Sequence, residues 1–219
     1  MKSNLFAALV LLLAVIGPIA AAAVEPSGGL PAPSERGASG MPDLRSTAEG
    51  FTFVDQDGPV IGDGDLRTYR LEVEPDAGVN PWVFSDLAER ILSDERGWTG
   101  AGDWALQRVT ADPDIRVVVA TPGTVDRLCA LAGLDTHGEV SCWNGEFAAL
   151  NVDRWRTGAD GFTGPLPAYR RYLLNHEVGH GLGYSHEVCP RPGAPAPVMQ
   201  QQTYATRPCV ANGWPVLRD

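Results

Sequence analysis

The first clear pattern along the chain is the alternation of polar and apolar residues over 68–74, where the sequence reads TYRLEVE. A period of two places every second side chain on one face of a strand. Two later segments, 104–110 and Ile115–Ala120, are also rich in apolar and β-branched residues, and turn-forming residues at 112–114 separate them. We therefore expect three strands, of which the first turns these side chains inward: Tyr69, Leu71 and Val73.

Helical periodicity follows the first of these strands. Asn80 offers a capping side chain, and Pro81 suits the first turn of a helix. The chain is predicted to be helical as far as about Asp94, with a buried stripe that consists of Val83, Leu87, Ile91 and Leu92. A shorter helix is predicted over 124–131, and a long one over 168–182 after a proline-rich turn.

The remaining pattern completes the fold prediction. An Asn-Gly dipeptide at 144–145 is a strong hairpin signal, so 147–152 is expected to be a strand that doubles back on its neighbour. Upstream, the apolar residues of 51–54 could form a short strand or a clamp onto the domain. The order of elements predicts an α+β fold, namely a twisted mixed sheet with two long helices and a small irregular C-terminal subdomain. The tryptophans are expected to pack in its core.

The N-terminus has the composition of a targeting segment. One lysine precedes an apolar run over 5–24 that ends in a series of alanines, which predicts a secretory signal peptide over 1–23. The same run is long enough to remain as a membrane anchor. Residues 24–64 are rich in Pro, Gly and Ser and are expected to form a flexible linker or a pro-segment, which leaves 65–219 as the folded domain. In either case we expect a secreted or cell-envelope-associated protein.

That expectation makes the four cysteines interpretable. An even number outside the cytosol favours two disulfides, and three pairings are open. The pairing of nearest neighbours is expected: Cys129 with Cys142, and Cys189 with Cys209. A cysteine zinc site is disfavoured because the chain has no C-x-x-C pair.

Charge excludes one class of partner. The 219 residues carry 17 Lys and Arg against 27 Asp and Glu, a net charge of −10, and the basic residues do not cluster. Nucleic-acid binding, which needs a basic surface, is therefore not expected. We expect a monomer without membrane contact beyond the possible N-terminal anchor.

The candidate chemistry lies in one segment that reads HEVGHGLGYSH. His176 and His180 are one helical turn apart, so both rings can reach one metal ion. Gly183 can adopt a left-handed conformation that ends the helix and lets the chain turn, so that His186 supplies a third nitrogen. Glu177 lies beside the first ligand, in place to act on water rather than to bind the metal. The segment predicts a zinc-dependent hydrolase with one catalytic Zn²⁺.

This segment resembles the H-E-x-x-H-x-x-G-x-x-H motif of the metzincin clan of zinc endopeptidases, whose members also carry a methionine in a tight turn beneath the metal. Met199 is the only methionine downstream of it. The resemblance implies a zincin-type fold and the hydrolysis of an extended peptide or protein substrate, with Glu177 as general base. It also implies that an open-edge strand near 147–152 pairs with the substrate and that residues around 200–206 set specificity.

The likeness is less specific outside the motif. Some metzincins place a tyrosine two residues after the methionine, where this chain has Gln201, with Tyr204 nearby. Residues 67–217 are similar to an uncharacterised family of secreted bacterial proteins with a metzincin-like motif, for which no substrate is implied.

Other functions stay open from the sequence. A zinc-containing domain could bind a cell-envelope ligand without hydrolysis, or a hydrolase could act on a non-protein amide. For a structural zinc, His137 or Glu187 could close the site as a fourth ligand, although His137 is rather expected in a surface turn. If the segment after the signal confers latency, the carboxylate of Asp43 or Glu49 could reach the zinc.

Overall fold

The computed structural model describes residues 41–217, so the predicted signal peptide and the first part of the predicted linker lie outside the described residues. The elements in chain order are β1 (Leu44–Ser46), β2 (Thr52–Val54), β3 (Val60–Ile61), β4 (Asp65–Val73), α1 (Pro81–Leu92), β5 (Trp104–Arg108), β6 (Ile115–Ala120), α2 (Pro122–Ala130), β7 (Cys142–Trp143), β8 (Phe147–Asn151), α3 (Val152–Thr157) and α4 (Leu166–Gly181). A 3₁₀-helix, Trp98–Ala101, precedes β5.

One mixed sheet of eight strands forms the centre of the fold. Strands β4, β6 and β8 run parallel in its middle. On the other side of β4, β5 pairs in parallel with its first half, and β2 pairs antiparallel with its second half. Strands β1, β3 and β7 add antiparallel pairs. The prediction of an α+β fold with a mixed sheet is confirmed, and the described residues form four α-helices around it.

Residues 42–64 are part of the folded domain and not the predicted flexible linker. Strands β1 and β2 form a hairpin, β2 pairs with β4, and the side chains of Phe51, Phe53 and Val54 are buried. The composition of this segment is that of a linker, but its few apolar residues find partners in a distant strand, and this pairing holds the segment in the sheet. Of the two alternatives for 51–54, a short strand or a clamp, the structure shows the strand, and the folded domain begins near residue 42 rather than 65.

The two faces of the sheet are covered differently. Helices α1, α3 and α4 pack on one face over the main core, which includes the predicted inward residues of β4: Tyr69, Leu71 and Val73. Helix α2 packs on the other face, where Val125 contacts a smaller cluster that includes Phe51 and Phe147. The site-bearing helix α4 is thus held against the sheet by the larger of the two cores.

Helix α1 begins as predicted, but part of its expected stripe was wrong. The Asn80 side chain accepts hydrogen bonds from the amides of Trp82 and Val83 at 3.0 and 3.2 Å. Val83 is 64% exposed, whereas the buried positions are Phe84, Ser85, Ala88, Ile91 and Leu92. A shift of one residue rotates a side chain by about 100° around a helix, which is enough to move Val83 from the core to the surface.

The chain after α4 is irregular, as predicted. Between residues 182 and 217 it forms neither a helix nor a strand, and a disulfide joins Cys189 to Cys209 within it. A second disulfide joins Cys129 in α2 to Cys142 in β7, so the expected pairing of nearest neighbours is confirmed. Within residues 41–217, the helices are too short or too polar to cross a membrane.

Candidate metal centre

Helix α4 brings the first two histidines together. The rings of His176 and His180 lie one turn apart with their centroids separated by 4.8 Å. Gly179 lies between them in the sequence, and a Cβ at that position would be 2.5 Å from both Sδ of Met199 and Cζ2 of Trp98. The helix can approach these two side chains this closely only because position 179 is a glycine.

A glycine turn brings in the third histidine. Helix α4 ends at Gly181, and Gly183 has φ +95°, the left-handed conformation expected from the sequence. The Gly183 amide donates to the carbonyl of His180 at 3.0 Å, which closes the turn. The chain then returns toward the helix, and Nε2 of His186 lies 3.1 Å from Nε2 of His180.

The three histidines form a cluster that could hold a metal ion. Their potential ligand atoms all lie within 4.8 Å of one another. Nitrogen ligands at about 2.0–2.1 Å from a tetrahedral zinc are about 3.3 Å apart, close to the 3.1 Å between the Nε2 atoms of His180 and His186. His176 is buried, whereas His186 is exposed. A set of imidazole donors with one exposed side suits zinc.

Hydrogen bonds to backbone carbonyls orient two of these rings. Nδ1 of His176 donates to the carbonyl of Val198, and Nδ1 of His180 donates to the carbonyl of Tyr184, both at 2.9 Å. Because a carbonyl oxygen can only accept, each Nδ1 carries the proton and each Nε2 keeps a lone pair. Burial lowers the pKa of His176 to about 3 and also lowers the pKa of His186. Neutral imidazoles bind metal ions, so these residues fit zinc.

Met199 lies in a tight turn directly beside the cluster. Its side chain is fully buried, and its sulfur approaches α4 at Gly179. The preceding residue, Val198, supplies the carbonyl that orients His176. The amide of Glu187 donates to the Met199 carbonyl at 3.0 Å, which attaches the segment after the third histidine to the same turn. The turn at Val198 and Met199 therefore contacts His176 directly and the neighbours of His180 and His186, namely Gly179 and Glu187.

Glu177 is buried at 4% exposure and lines the same cleft as the three histidines. Loss of solvation raises the pKa of its carboxyl group to about 8. A buried carboxyl group of raised pKa in a cleft is a candidate for proton transfer. The structure thus brings together Glu177 and the histidines that the sequence singled out.

The cleft in front of the histidines has a volume of about 320 Å³. One wall comes from the chain that leads into β7, including Leu134 and Asp135, and the other from the segment after Met199, including Thr203 and Tyr204. Tyr204 is 62% exposed. Among its lining residues, all of them described, there is no lysine or arginine. Apart from the histidines and any bound metal, the lining of the cleft therefore offers no positive charge.

The expectation that the strand near 147–152 is an open edge of the sheet was wrong. Strand β8, at 147–151, pairs with β6 on one side and β7 on the other, so its backbone groups are already used. The last strand of the sheet on this side is β7, Cys142–Trp143, which also lines the cleft. The hairpin at 144–145 was predicted correctly, but the sequence did not indicate which of its two strands lies outside.

Several other candidate residues lie away from the histidines. His137 is in an exposed turn with its Nδ1 3.1 Å from Asp135, and neither it nor Glu187 belongs to the metal cluster. Glu49 accepts a hydrogen bond from Arg116 at 2.9 Å and lines a cavity beside α2 instead of the cleft. Asp43 is also absent from the cleft lining. The structure therefore places neither carboxylate in the cleft, and Arg116 binds Glu49 elsewhere.

Two residues near the site carry no predicted role in it from the sequence: Trp98 and Tyr184. Trp98 was assigned to core packing in general, and Tyr184 received no role. In the structure their rings stack with centroids 4.5 Å apart, and Tyr184 provides the carbonyl that orients His180. The one sequence signal for Tyr184 was its position inside the motif. Its contact with Trp98 could not be predicted, because the two residues are far apart in the sequence.

The comparisons with known proteins name a family but no activity. No curated protein matches the chain, and no solved structure matches it. The family described as "Protein of unknown function (DUF3152)" matches residues 38–212, which is most of the chain. The chain therefore belongs to this family.

Proposed function

We propose that this protein is a zinc-dependent endopeptidase with a zincin-type, metzincin-like fold. The observation that carries the proposal is the convergence of three imidazoles, with ligand atoms within 4.8 Å of one another, in a cleft that also contains Glu177. The buried Met199 beside the helix and the left-handed Gly183 support the same assignment.

Glu177 is the base of the proposed reaction. Its carboxylate accepts a proton from the water that attacks the scissile carbonyl and then delivers that proton to the leaving amine. Zinc, when bound by the three histidines, would supply a Lewis acid that polarises the carbonyl, lowers the pKa of water and favours the ionised form of the neighbouring Glu177. Because Glu177 is 4% exposed, proton exchange with bulk water competes little with this transfer.

The composition of the cluster favours catalysis over a structural role. Within residues 41–217 the cluster contains three histidines and no fourth His, Cys, Asp or Glu ligand. Structural zinc sites are usually closed by four protein ligands. All four cysteines are in disulfides, so none is free to complete the set. This argues against the alternative of a zinc-containing binding domain without hydrolytic activity.

The shape and charge of the cleft favour an extended peptide. The outer edge of β7 can pair with a substrate backbone by strand addition, and Gln201, Thr203 and Tyr204 would contact its side chains from the opposite wall. A free carboxylate beside the scissile bond would meet Asp135 and no lysine or arginine in the lining. We therefore propose cleavage within chains, next to neutral or basic residues.

The disulfides support an exported protein. Both join residues within one folded domain, and such bonds persist in oxidising compartments. Together with the predicted signal peptide over 1–23, they favour a protein that acts outside the cytosol.

The test is cleavage of an unbiased peptide library by the full zinc-loaded chain, beside Glu177→Ala and a matched control, Glu187→Ala. Loss of the general base is expected to reduce cleavage at least about 100-fold, whereas the exposed Glu187 should be dispensable. Zinc content of each variant is measured in parallel. A folded, zinc-loaded wild type that cuts no peptide would contradict the proposal and favour a binding domain or a hydrolase of non-protein amides.

A further inference from the structure

Tyr184 lies between the ligands His180 and His186 and is held at both of its backbone groups. Its amide donates to the carbonyl of Gly179 at 3.0 Å, and its carbonyl accepts from Nδ1 of His180 at 2.9 Å. The second hydrogen bond determines which nitrogen of His180 faces the cluster. The position of the Tyr184 backbone therefore sets both the orientation of one ligand and the path of the chain toward another.

Two tryptophans hold the Tyr184 side chain from the other direction. Its ring stacks on the ring of Trp98, with centroids 4.5 Å apart and planes inclined by 24°. Its hydroxyl oxygen accepts a hydrogen bond from Nε1 of Trp104 at 3.2 Å. A stacked face and a directional hydrogen bond together restrict the ring to one position.

Trp98 also contacts the helix that carries the other ligands. Its Nε1 donates to the carbonyl of Asn175 at 3.0 Å. The edge of its ring would lie against a Cβ at Gly179, with Cζ2 at 2.5 Å. Asn175 and Gly179 are one helical turn apart, so the indole lies along one face of α4. Trp98 is 4% exposed and is therefore packed in place. One side chain thus connects the helix with the turn that follows it.

We propose that Trp98 and Tyr184 are positioning residues that hold the three imidazoles in ligand geometry. The inference rests on the proposed metal site. Neither side chain belongs to the metal cluster; they act through His180 and through the path of the chain to His186. A site whose ligands are already ordered loses less conformational entropy when the metal binds. Removing the contacts of Trp98 and Tyr184 is therefore expected to weaken metal affinity.

The test uses the full chain without any peptide. Zinc affinity is measured by competition with a chromophoric chelator, and ligand geometry is read from the absorption bands of the cobalt(II)-loaded protein. Changes to the residues that orient metal-bound histidines typically cost 10- to 100-fold in affinity. Tyr184→Leu is expected to weaken zinc binding about tenfold and to shift the cobalt bands. Tyr184→Phe keeps the stacked ring and is expected to stay within about threefold of the wild type.

A matched control separates positioning from general stability. Trp214 is another partly buried aromatic residue that packs on the same core, beside Arg96 and Arg171 and apart from the histidines. Trp214→Leu is expected to keep the zinc affinity and cobalt spectrum of the wild type. Wild-type affinity and spectrum in Tyr184→Leu would overturn the inference, as would an equal loss in Trp214→Leu.

Two further results have defined meanings. If Tyr184→Leu does not fold, Trp98→Phe tests the same positioning role. It keeps an aromatic ring but lacks the indole N–H that donates to Asn175. Unchanged cobalt bands in Trp98→Phe would then overturn the inference. A wild type that binds zinc but cleaves no peptide overturns the proposed function and leaves the positioning roles standing. A wild type that binds no zinc overturns both.

Discussion

At the scale of single residues, Gly179 has no room for a side chain, since a Cβ there would lie 2.5 Å from both Met199 and Trp98. We expect Gly179→Ala to lower the free energy of unfolding by about 1–3 kcal/mol, because its methyl group would overlap Met199 and the ring of Trp98. Alanine gains about 1 kcal/mol over glycine in helix propensity, and the overlap is expected to outweigh this gain. Urea unfolding monitored by circular dichroism measures the difference.

Gly123 provides the control for this substitution. It also lies in a helix, α2, but the nearest atom to a Cβ there would be Nη1 of Arg127, at 3.8 Å. Gly123→Ala is therefore expected to be neutral or slightly stabilising. If Gly179→Ala proved as stable as Gly123→Ala, the close contact at Gly179 would have no effect on the free energy of unfolding.

Glu49 predicts a dependence of stability on pH. The hydrogen bond from Arg116 lowers the pKa of Glu49 to about 2, compared with 4.5 for an unperturbed glutamate. A lowered pKa in the folded state means that the stabilisation is complete above pH 4.5 and is lost as the pH falls toward 2. Because the side chain is 47% exposed, solvent screens the pair, and Glu49→Gln is expected to cost only about 0.5–1 kcal/mol at pH 7.

The measurement is the free energy of unfolding of wild type and Glu49→Gln at several pH values from 7 down to about 3. The difference between them should shrink below pH 4.5. Asp86→Asn, which breaks an exposed pair with Arg90 on the surface of α1, is the control and should change little. A constant difference across this range would show that Glu49 acts through packing instead of charge.

At the scale of elements, the irregular tail depends on its disulfide. The bond between Cys189 and Cys209 encloses Met199 across a separation of 20 residues. On the chain-entropy model, such a loop contributes about 3 kcal/mol. Replacing both cysteines with serine is expected to loosen the turn that supports His176 and to weaken zinc affinity about tenfold.

The other disulfide serves as the control for this change. Cys129 and Cys142 join α2 to β7 and close a loop of similar length, with a separation of 13 residues, that does not include the methionine turn. Their replacement by serine should lower stability comparably but leave zinc affinity closer to that of the wild type. Equal zinc affinity in the Cys189/Cys209 double variant and the wild type would show that the tail needs no bond to support the site.

Elements differ in how much of them the sequence predicts. The periodicity that predicts β4, α1 and α4 comes from residues two to four positions apart, which the sequence displays directly. The burial of each face is less local. Val83 fits a helical stripe but is exposed, because the position of the sheet selects a face that begins one residue later, at Phe84.

At the scale of the whole molecule, the N-terminal hairpin belongs to the fold. We expect a chain of residues 65–219 to lose its cooperative thermal transition, whereas residues 41–219 keep it. The shorter chain lacks Phe51 and Phe53, both buried. Removing one buried phenylalanine side chain costs about 3–5 kcal/mol, against a total stability of about 5–15 kcal/mol for a typical domain.

Thermal unfolding of the two chains, followed by circular dichroism and by the dispersion of their proton NMR spectra, tests this boundary. A shorter chain that unfolds cooperatively at the same temperature would show that the hairpin does not contribute to the stability of the fold. The comparison also identifies which fragment is suitable for activity assays.

The sequence by itself determined the histidine cluster and the glycine turn, and it favoured the observed cysteine pairing among three. A cluster built from one helical turn and one glycine depends on residues at most ten positions apart, so the sequence identifies His176, His180 and His186 without a structure. Spacing and composition are sufficient because a helix fixes which residues share a face.

Only the tertiary structure decided how that site is supported and enclosed. The bond between Trp104 and Tyr184 joins residues 80 positions apart, and the pairing of β2 with β4 recruits a segment with the composition of a linker. It was also packing that placed β8 inside the sheet and left β7 at its edge. Such contacts depend on the complementary shapes of surfaces that are far apart in the sequence. The local periodicity of the sequence therefore does not predict them.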